Sequence, residues 1–394
     1  MQTNEYDAIV VGAGPAGSSA AYFLGASRIP TLLIDKKSFP RQKICSGGIS
    51  PRSLNLLHEM GLEDRIDSFH KIIGTRIISP EGVVVEGRIP PTDDFKQYGY
   101  VIPRYSLDKI LVDNAVSTGN VEFQQGLVTD LILDGDFISG VTTGQKKINS
   151  KVVILAEGAI SGLAAKYNLS RHSSERTIIG LETWRRGIDD DSMISIYYHG
   201  EVLPGYFWIF CEGGTMANVG LSVWDPSLHN NLKVRGLFNK ILKSDEISHI
   251  ICGSEEVQKP KLWPIRFSES DIPLVTNGAI AVGDCGGFAN PLTGEGIYYA
   301  LHSGKFAAET VIGSLQKNDV STRSLSLYRR LYEREFGEDL AVSHELKILF
   351  SNKEFVNALL RKASEDEGVN RLLQGVIVNV IPKRGMLGIL KYKL

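Results

Sequence analysis

Three groups of residues in this chain could do chemistry. Gly12-Ala13-Gly14-Pro15-Ala16-Gly17 has the G-x-G-x-x-G spacing, in which one glycine makes a tight turn, one admits an anion to the backbone and one lets a helix pack on a strand. Asp35, followed by Lys36, lies at the distance where an acid accepts hydrogen bonds from ribose hydroxyls. This is the chemistry of dinucleotide binding, with the cofactor left open between FAD and NAD. The second group, Gly283-Asp284 followed by Pro291 and Gly294-Glu295-Gly296-Ile297, ends where a helix begins. A helix amino terminus stabilises negative charge placed before it. The third is Cys45, beside Ser46 and Gly47 and downstream of Arg41 and Lys43, whose charges would favour a thiolate. An inert buried thiol is the alternative.

The elements that must position these groups are legible as patterns. Ala8–Val11 is a continuous apolar run suited to a strand buried on both faces, and the residues from Ser18 to Leu24 form helix. Thr31–Ile34, Val152–Leu155 and Gly278–Val282 read as further buried strands, the second ending in Glu157-Gly158 and the third in Gly283-Asp284. Arg104 stands at the head of a helix. Ser192–Tyr198 and Ala217–Val223 read as strands separated by glycine, and beyond about residue 314 the chain turns helical, with Tyr328, Leu331 and Tyr332 at helical spacing. In Tyr206-Phe207-Trp208-Ile209-Phe210, residues two apart share a strand face, so Tyr206, Trp208 and Phe210 project together. They would line an apolar ligand or pack a sheet core.

Composition removes several function classes. There are 394 residues, with 43 Lys plus Arg against 45 Asp plus Glu and a net charge of −2, so a basic field that binds nucleic acid is not expected. The four cysteines are scattered with no C-x-x-C, which disfavours metal clusters and disulfides. No signal peptide or membrane-spanning run is read, so a cytoplasmic protein is expected.

On the glycine fingerprint, the Gly283-Asp284…Pro291…Gly294-x-Gly296 motif and Pro40-Arg41-Gln42-Lys43-Ile44-Cys45-Ser46-Gly47-Gly48, the chain resembles the geranylgeranyl reductases of the para-hydroxybenzoate hydroxylase-like flavoprotein superfamily. Ser46 replaces a glycine of the family's P-x-x-K-x-C-G-G-G. Tyr206-x-Trp208-x-Phe210 matches its Y-x-W-x-F-P, with Cys211 in place of proline, better than the halogenases' W-x-W-x-I-P. The resemblance implies an α/β fold: a Rossmann-like FAD-binding domain with an inserted antiparallel β-sheet substrate domain and a C-terminal helical region. The FAD-binding domain is expected over 1–71, 98–174 and 265–313, the substrate domain over 72–97 and 175–264, and the helical region over 314–394. It further implies that Asp284 binds the ribityl or pyrophosphate region, that amides from Thr293 to Ile297 face the N1–C2=O edge of the flavin, and that Arg104 lies near the cofactor. Glu157 departs from the usual Asp of the middle motif.

The expected activity is FAD-dependent saturation of C=C bonds in a geranylgeranyl or related prenyl chain, with Cys45 and Tyr206 as candidates for the proton and no metal. The electron donor is expected to be NAD(P)H or a ferredoxin. A flavin monooxygenase or halogenase and a non-catalytic lipid-binding flavoprotein are the rivals. Two readings stay open for the tail, where Arg371, Lys383, Arg384, Lys391 and Lys393 accompany Val376, Ile377, Val378, Val380, Ile381, Met386, Leu387, Ile389 and Leu390: peripheral contact with an anionic membrane, or packing against the helical region, since Pro382 and Gly385 break a long amphipathic helix.

Overall fold

The apolar runs that end in the glycine motifs lie side by side. A computed structural model describes residues 6–171, 173–267 and 273–392, with side chains to residue 388. Its first sheet has the order Val275–Thr276, Ala279–Ala281, Val152–Leu155, Ala8–Val11, Thr31–Asp35, Val121–Gln125. All neighbours are parallel except the first pair. Ala8, Ile9 and Val10 are fully buried, as a strand covered on both faces requires. One face is covered by the helices Pro15–Ala26, Arg104–Ser117 and Ile297–Gln316, the other by the antiparallel strands Val128–Asp134, Phe137–Thr143 and Lys146–Asn149. Parallel strands present their carboxyl ends along one edge, so Gly12, Glu157 and Gly283 emerge together there.

The second sheet is built around Thr177–Arg186, Met216–Val223, Phe207–Gly213 and Met193–Tyr197, continued by Gly74–Ile78 and Val84–Arg88. It departs from a purely antiparallel insertion at one junction, where Met193–Tyr197 pairs parallel with Gly74–Ile78, a strand contributed by an earlier stretch of chain rather than by a hairpin. Helix Asn231–Leu242 packs on one face through Phe238, against Phe207 and Ile209. The late helices Glu338–Phe350, Lys353–Glu365 and Glu367–Ile377 cover the other face near Ile77, Val85 and Ile196.

Of the two readings of the tail, the described residues follow the packed one. Val376, Val378, Val380 and Met386 are buried in this helical layer, and Lys383, a membrane-facing cation in the other reading, is fully buried against Asp339. Arg384 is paired with Glu338 at 3.1 Å. Over its described side chains the apolar residues of the segment therefore pack as core, because they find a partner surface in the chain itself. Lys393 and the polar lead Met1–Glu5 lie outside the described residues, as do the side chains of Ile389, Leu390 and Lys391. Among the described residues no helix is long and apolar enough to cross a membrane.

Candidate active site

Where the strand ends meet the second sheet, a single cavity of about 610 Å³ opens. Gly12 has φ +102°, and a Cβ there would lie 2.2 Å from the Ala156 carbonyl oxygen, so only glycine makes this turn. Gly14 differs: a Cβ there would meet only Arg41 Nη2, at 3.8 Å, because the space before it belongs to the cavity. Helix Pro15–Ala26 begins with no side-chain cap and no acid in its first turn. Its free N–H groups therefore point a positive end into that space. Asp35 accepts from Ala13 N–H and Lys37 N–H, both at 2.8 Å, tying the glycine loop to the second strand and leaving each carboxylate oxygen another lone pair.

The lining includes Pro15, Ala16, Lys36, Lys43, Cys45, Ser46, Arg104, Glu157, Gly158, Gly283, Asp284, Gly294, Glu295, Gly296 and Ile297 from the sequence expectations. Three others stand behind the wall. A Cβ on Gly17 would lie 1.8 Å from Gly12 O, so Gly17 serves helix packing. Gly47 has φ +76° and backs onto Ile102, and the Pro291 carbonyl accepts from Trp224 Nε1 at 2.7 Å. Glu157 lines the cavity, yet its carboxylate accepts from Leu163 and Ala164 N–H at 3.1 and 2.8 Å and so caps the short helix Gly162–Lys166.

The loop before helix Ile297–Gln316 is narrower in function than expected. The N–H groups of Leu292 and Thr293 are taken by Asn290 Oδ1, that of Gly294 by Asn290 O and that of Glu295 by Thr293 Oγ1. Of the amides expected to face a ligand, those of Gly296 and Ile297 remain without a partner among the described residues. The helix again has no side-chain cap.

Around Cys45 the sequence reading missed half of the cluster. Arg104 heads its helix as expected and forms a two-pronged pair with Asp108, at 2.8 and 3.0 Å, which also holds Arg41 at 3.0 Å. The four-residue spacing of Arg104 and Asp108 was the available signal. The Arg104 guanidinium also interacts electrostatically with the Cys45 side chain. Lys43 lies 3.3 Å from the centre of the Trp263 ring. Its ammonium is pulled down to about 7, first by burial and then by repulsion from Arg104. Glu182, on the second sheet and 2% exposed, accepts the Cys45 N–H at 2.6 Å. Burial pushes its carboxyl up to about 7. No local pattern marks Glu182, since its importance comes from a strand distant in sequence.

Tyr206, Trp208 and Phe210 do share a face and line the cavity, while Phe207, Ile209 and Cys211 pack on the opposite face. Trp208 fits because Gly220 stands beneath it, and its Nε1 donates to Asn218 Oδ1 at 2.7 Å. The Tyr206 hydroxyl donates to the Thr293 carbonyl, so it props the loop, and burial pushes its pKa well up. Beyond Tyr206 the cavity continues as an apolar arm through Ile194, Ile196, Tyr198, Ile377 and Val378.

An FAD binding domain model matches residues 5–186. The digeranylgeranylglycerophospholipid reductase of Methanocaldococcus jannaschii is 31% identical to this chain, over 92% of the chain and 88% of the relative. The menaquinone reductase of Mycobacterium tuberculosis is 29% identical, over 89% and 85%. Among solved structures, a geranylgeranyl bacteriochlorophyll reductase-like protein from Thermoplasma acidophilum superposes with a TM-score of 0.86, 23% identity, 98% of this chain and 96% of that one. A flavin-dependent brominase does so with 0.78, 19% identity, 99% and 100%. At those identities the structural likenesses speak for the fold alone.

Proposed function

Since this chain belongs to the digeranylgeranylglycerophospholipid reductase family of FAD-dependent oxidoreductases, we propose that its cavity binds FAD at the glycine-rich end and a prenyl chain along the apolar arm. The protein is an FAD-dependent reductase of prenyl C=C bonds. One observation carries the division of labour: the uncapped helix ends and the apolar arm open into one continuous cavity. The chain fits FAD in particular ways. The space before Gly14 suits a pyrophosphate, Asp35 a ribose, and the Gly296 and Ile297 amides an electron-rich ring edge. The residues between about 72 and 97 and between 175 and 264 act as the substrate domain, set against an FAD-binding domain of 1–71, 98–174 and 265–313 and a helical region from 314.

Reduced FAD, when bound, supplies hydride to one alkene carbon. An isolated alkene has no carbonyl to polarise, so the protein contributes orientation, dryness and a proton. Ile194, Ile196, Tyr198, Ile377 and Val378 bury hydrocarbon at about 25 cal/mol per Å², which holds a chain without polar recognition. Trp208 and Phe210 form the wall nearest the Cys45 loop. Cys45 Sγ is our first proton source, and the Glu182 carboxyl, held on the Cys45 backbone N–H, is the second, because a carboxyl raised to about 7 retains its proton near neutrality. Tyr206 is assigned to the wall and the loop rather than to proton delivery, since its hydroxyl hydrogen is already given to Thr293.

The finer reading is a geranylgeranyl lipid as substrate, with electrons from NAD(P)H or a ferredoxin and with peripheral contact to the bilayer that holds the lipid. The decisive experiment incubates the chemically reduced holoenzyme anaerobically with digeranylgeranylglyceryl phospholipid and with menaquinone, and weighs the products. Mass gains in steps of two hydrogens are expected. No gain on either substrate, or a product that forms only with oxygen, would reject the reductase reading.

A further inference from the structure

Among the described side chains of the tail, Lys383 is the one cation that is buried completely, and it lies far in sequence from every cofactor motif. A buried ammonium is costly unless paired and hydrogen-bonded. Its Nζ lies 3.0 Å from Asp339 Oδ2 and donates to Asn379 Oδ1 at 2.7 Å, and its backbone N–H donates to Asp339 Oδ1 at 3.0 Å. Asp339 in turn connects to the loop before helix Ile297–Gln316 through two hydroxyls. Tyr299 Oη donates to Asp339 Oδ2 at 3.3 Å, and Ser343 Oγ donates to the Asp339 carbonyl at 2.6 Å. Both hydroxyls accept from Asn290 Nδ2, each at 2.9 Å.

Asn290 is fully buried and every polar atom it has is used. Its amide hydrogens go to Tyr299 and Ser343, and its Oδ1 accepts from Leu292 and Thr293. Its backbone N–H donates to the Glu295 carbonyl and its carbonyl accepts from Gly294 N–H, both at 2.9 Å. The direction of donation is therefore fixed along the whole chain. Were the Asn290 amide reversed, its oxygen would face two hydroxyls already committed to Asp339, and its NH₂ would face two N–H donors. Asp339, paired with Lys383 through Oδ2, takes the Tyr299 hydroxyl hydrogen and leaves that hydroxyl to accept from Asn290, and the Asn290 side chain holds the amides of Leu292 and Thr293.

We propose that Lys383 is a positioning residue of the flavin site, acting through the Asp339 carboxylate, the Tyr299 hydroxyl and Asn290 to aim the Gly296 and Ile297 amides at the cofactor, with Ser343, bonded to the Asp339 backbone carbonyl, holding the other Asn290 amide hydrogen. On this account the buried part of the C-terminal segment, around Lys383, supports the cofactor site. The inference rests on the FAD reading, and the FAD content of the unaltered protein tests that reading separately.

The test uses FAD-loaded protein and compares Lys383→Met, the pair Tyr299→Phe/Ser343→Ala, and all three changes combined. Flavin midpoint potential and FAD dissociation constant are the readouts. Removing either end of the chain should make the potential more negative, because misaimed amides no longer stabilise the reduced, anionic ring, and should weaken FAD binding about tenfold. The combined variant should be no worse than the singles, as expected of one connected path. An unchanged potential in the folded variants overturns the proposal, and so does a combined effect that multiplies to about a hundredfold. If Lys383→Met does not fold, Tyr299→Phe/Ser343→Ala removes only hydroxyls, and its potential decides the question alone.

Discussion

Glu182 shows what a single side chain adds that its neighbours in sequence do not announce. It is nearly inaccessible, its Oε1 takes the Cys45 N–H, and its carboxyl is raised from 4.5 to about 7 chiefly by burial. A carboxyl raised on folding binds its proton more tightly in the folded chain. Stability is then intact below about pH 4.5 and falls as the pH climbs through 7, where the folded side chain must ionise in a dry site. Glu182→Gln keeps the shape and cannot ionise. Relative to the unaltered FAD-free protein it should gain on the order of 2 kcal/mol at pH 8 over its value at pH 4, as read from thermal unfolding at both pH values. Equal differences at the two pH values would mean that Glu182 titrates as an ordinary carboxyl.

At the scale of elements, helices Pro15–Ala26 and Ile297–Gln316 approach so closely that a Cβ on Gly304 would lie 2.2 Å from Ala16 O. Both helix ends that open into the cavity depend on that contact. Gly304→Val should push the helices apart, destabilise the fold by about 2 to 3 kcal/mol and release FAD as a consequence. Gly14→Val should do the opposite in kind, leaving the melting temperature of the FAD-free protein nearly unchanged while abolishing FAD binding, because a Cβ there meets no protein atom closer than Arg41 Nη2, at 3.8 Å, and the side chain enters the space assigned to the pyrophosphate. Thermal unfolding of the FAD-free proteins together with FAD titration separates the two. Full FAD binding by Gly14→Val would remove the pyrophosphate from the place assigned to it.

The whole molecule joins a parallel sheet carrying the glycine motifs to a second sheet that lines the cavity, and closes the second with its own carboxyl-terminal helices. Met386, fully buried in that layer, ties the last helix to Val356, Leu360 and Leu373. Met386→Ala should cost about 2 to 4 kcal/mol, measured by chemical denaturation. It should leave sedimentation with anionic liposomes unchanged while the protein is folded, since the buried residue cannot touch a bilayer. A loss of liposome binding by the folded variant would return the tail to the membrane.

What the sequence by itself determined was the set of strand-to-glycine turns, the face shared by Tyr206, Trp208 and Phe210, and the helical end of the chain. Each of these follows from local rules: glycine where φ is positive or backbones touch, alternation along a strand, apolar spacing along a helix. Only the tertiary structure decided that Glu182 meets Cys45, that Gly17, Gly47 and Pro291 stand behind the cavity wall, that Asn290 consumes amides expected to face the ligand, and that Lys383 turns inward to Asp339. Those outcomes depend on which distant residue supplies the partner for a buried polar group. A buried charge or amide must be satisfied, but the rule names no partner, and the partner is fixed only when the two sheets and the tail have packed.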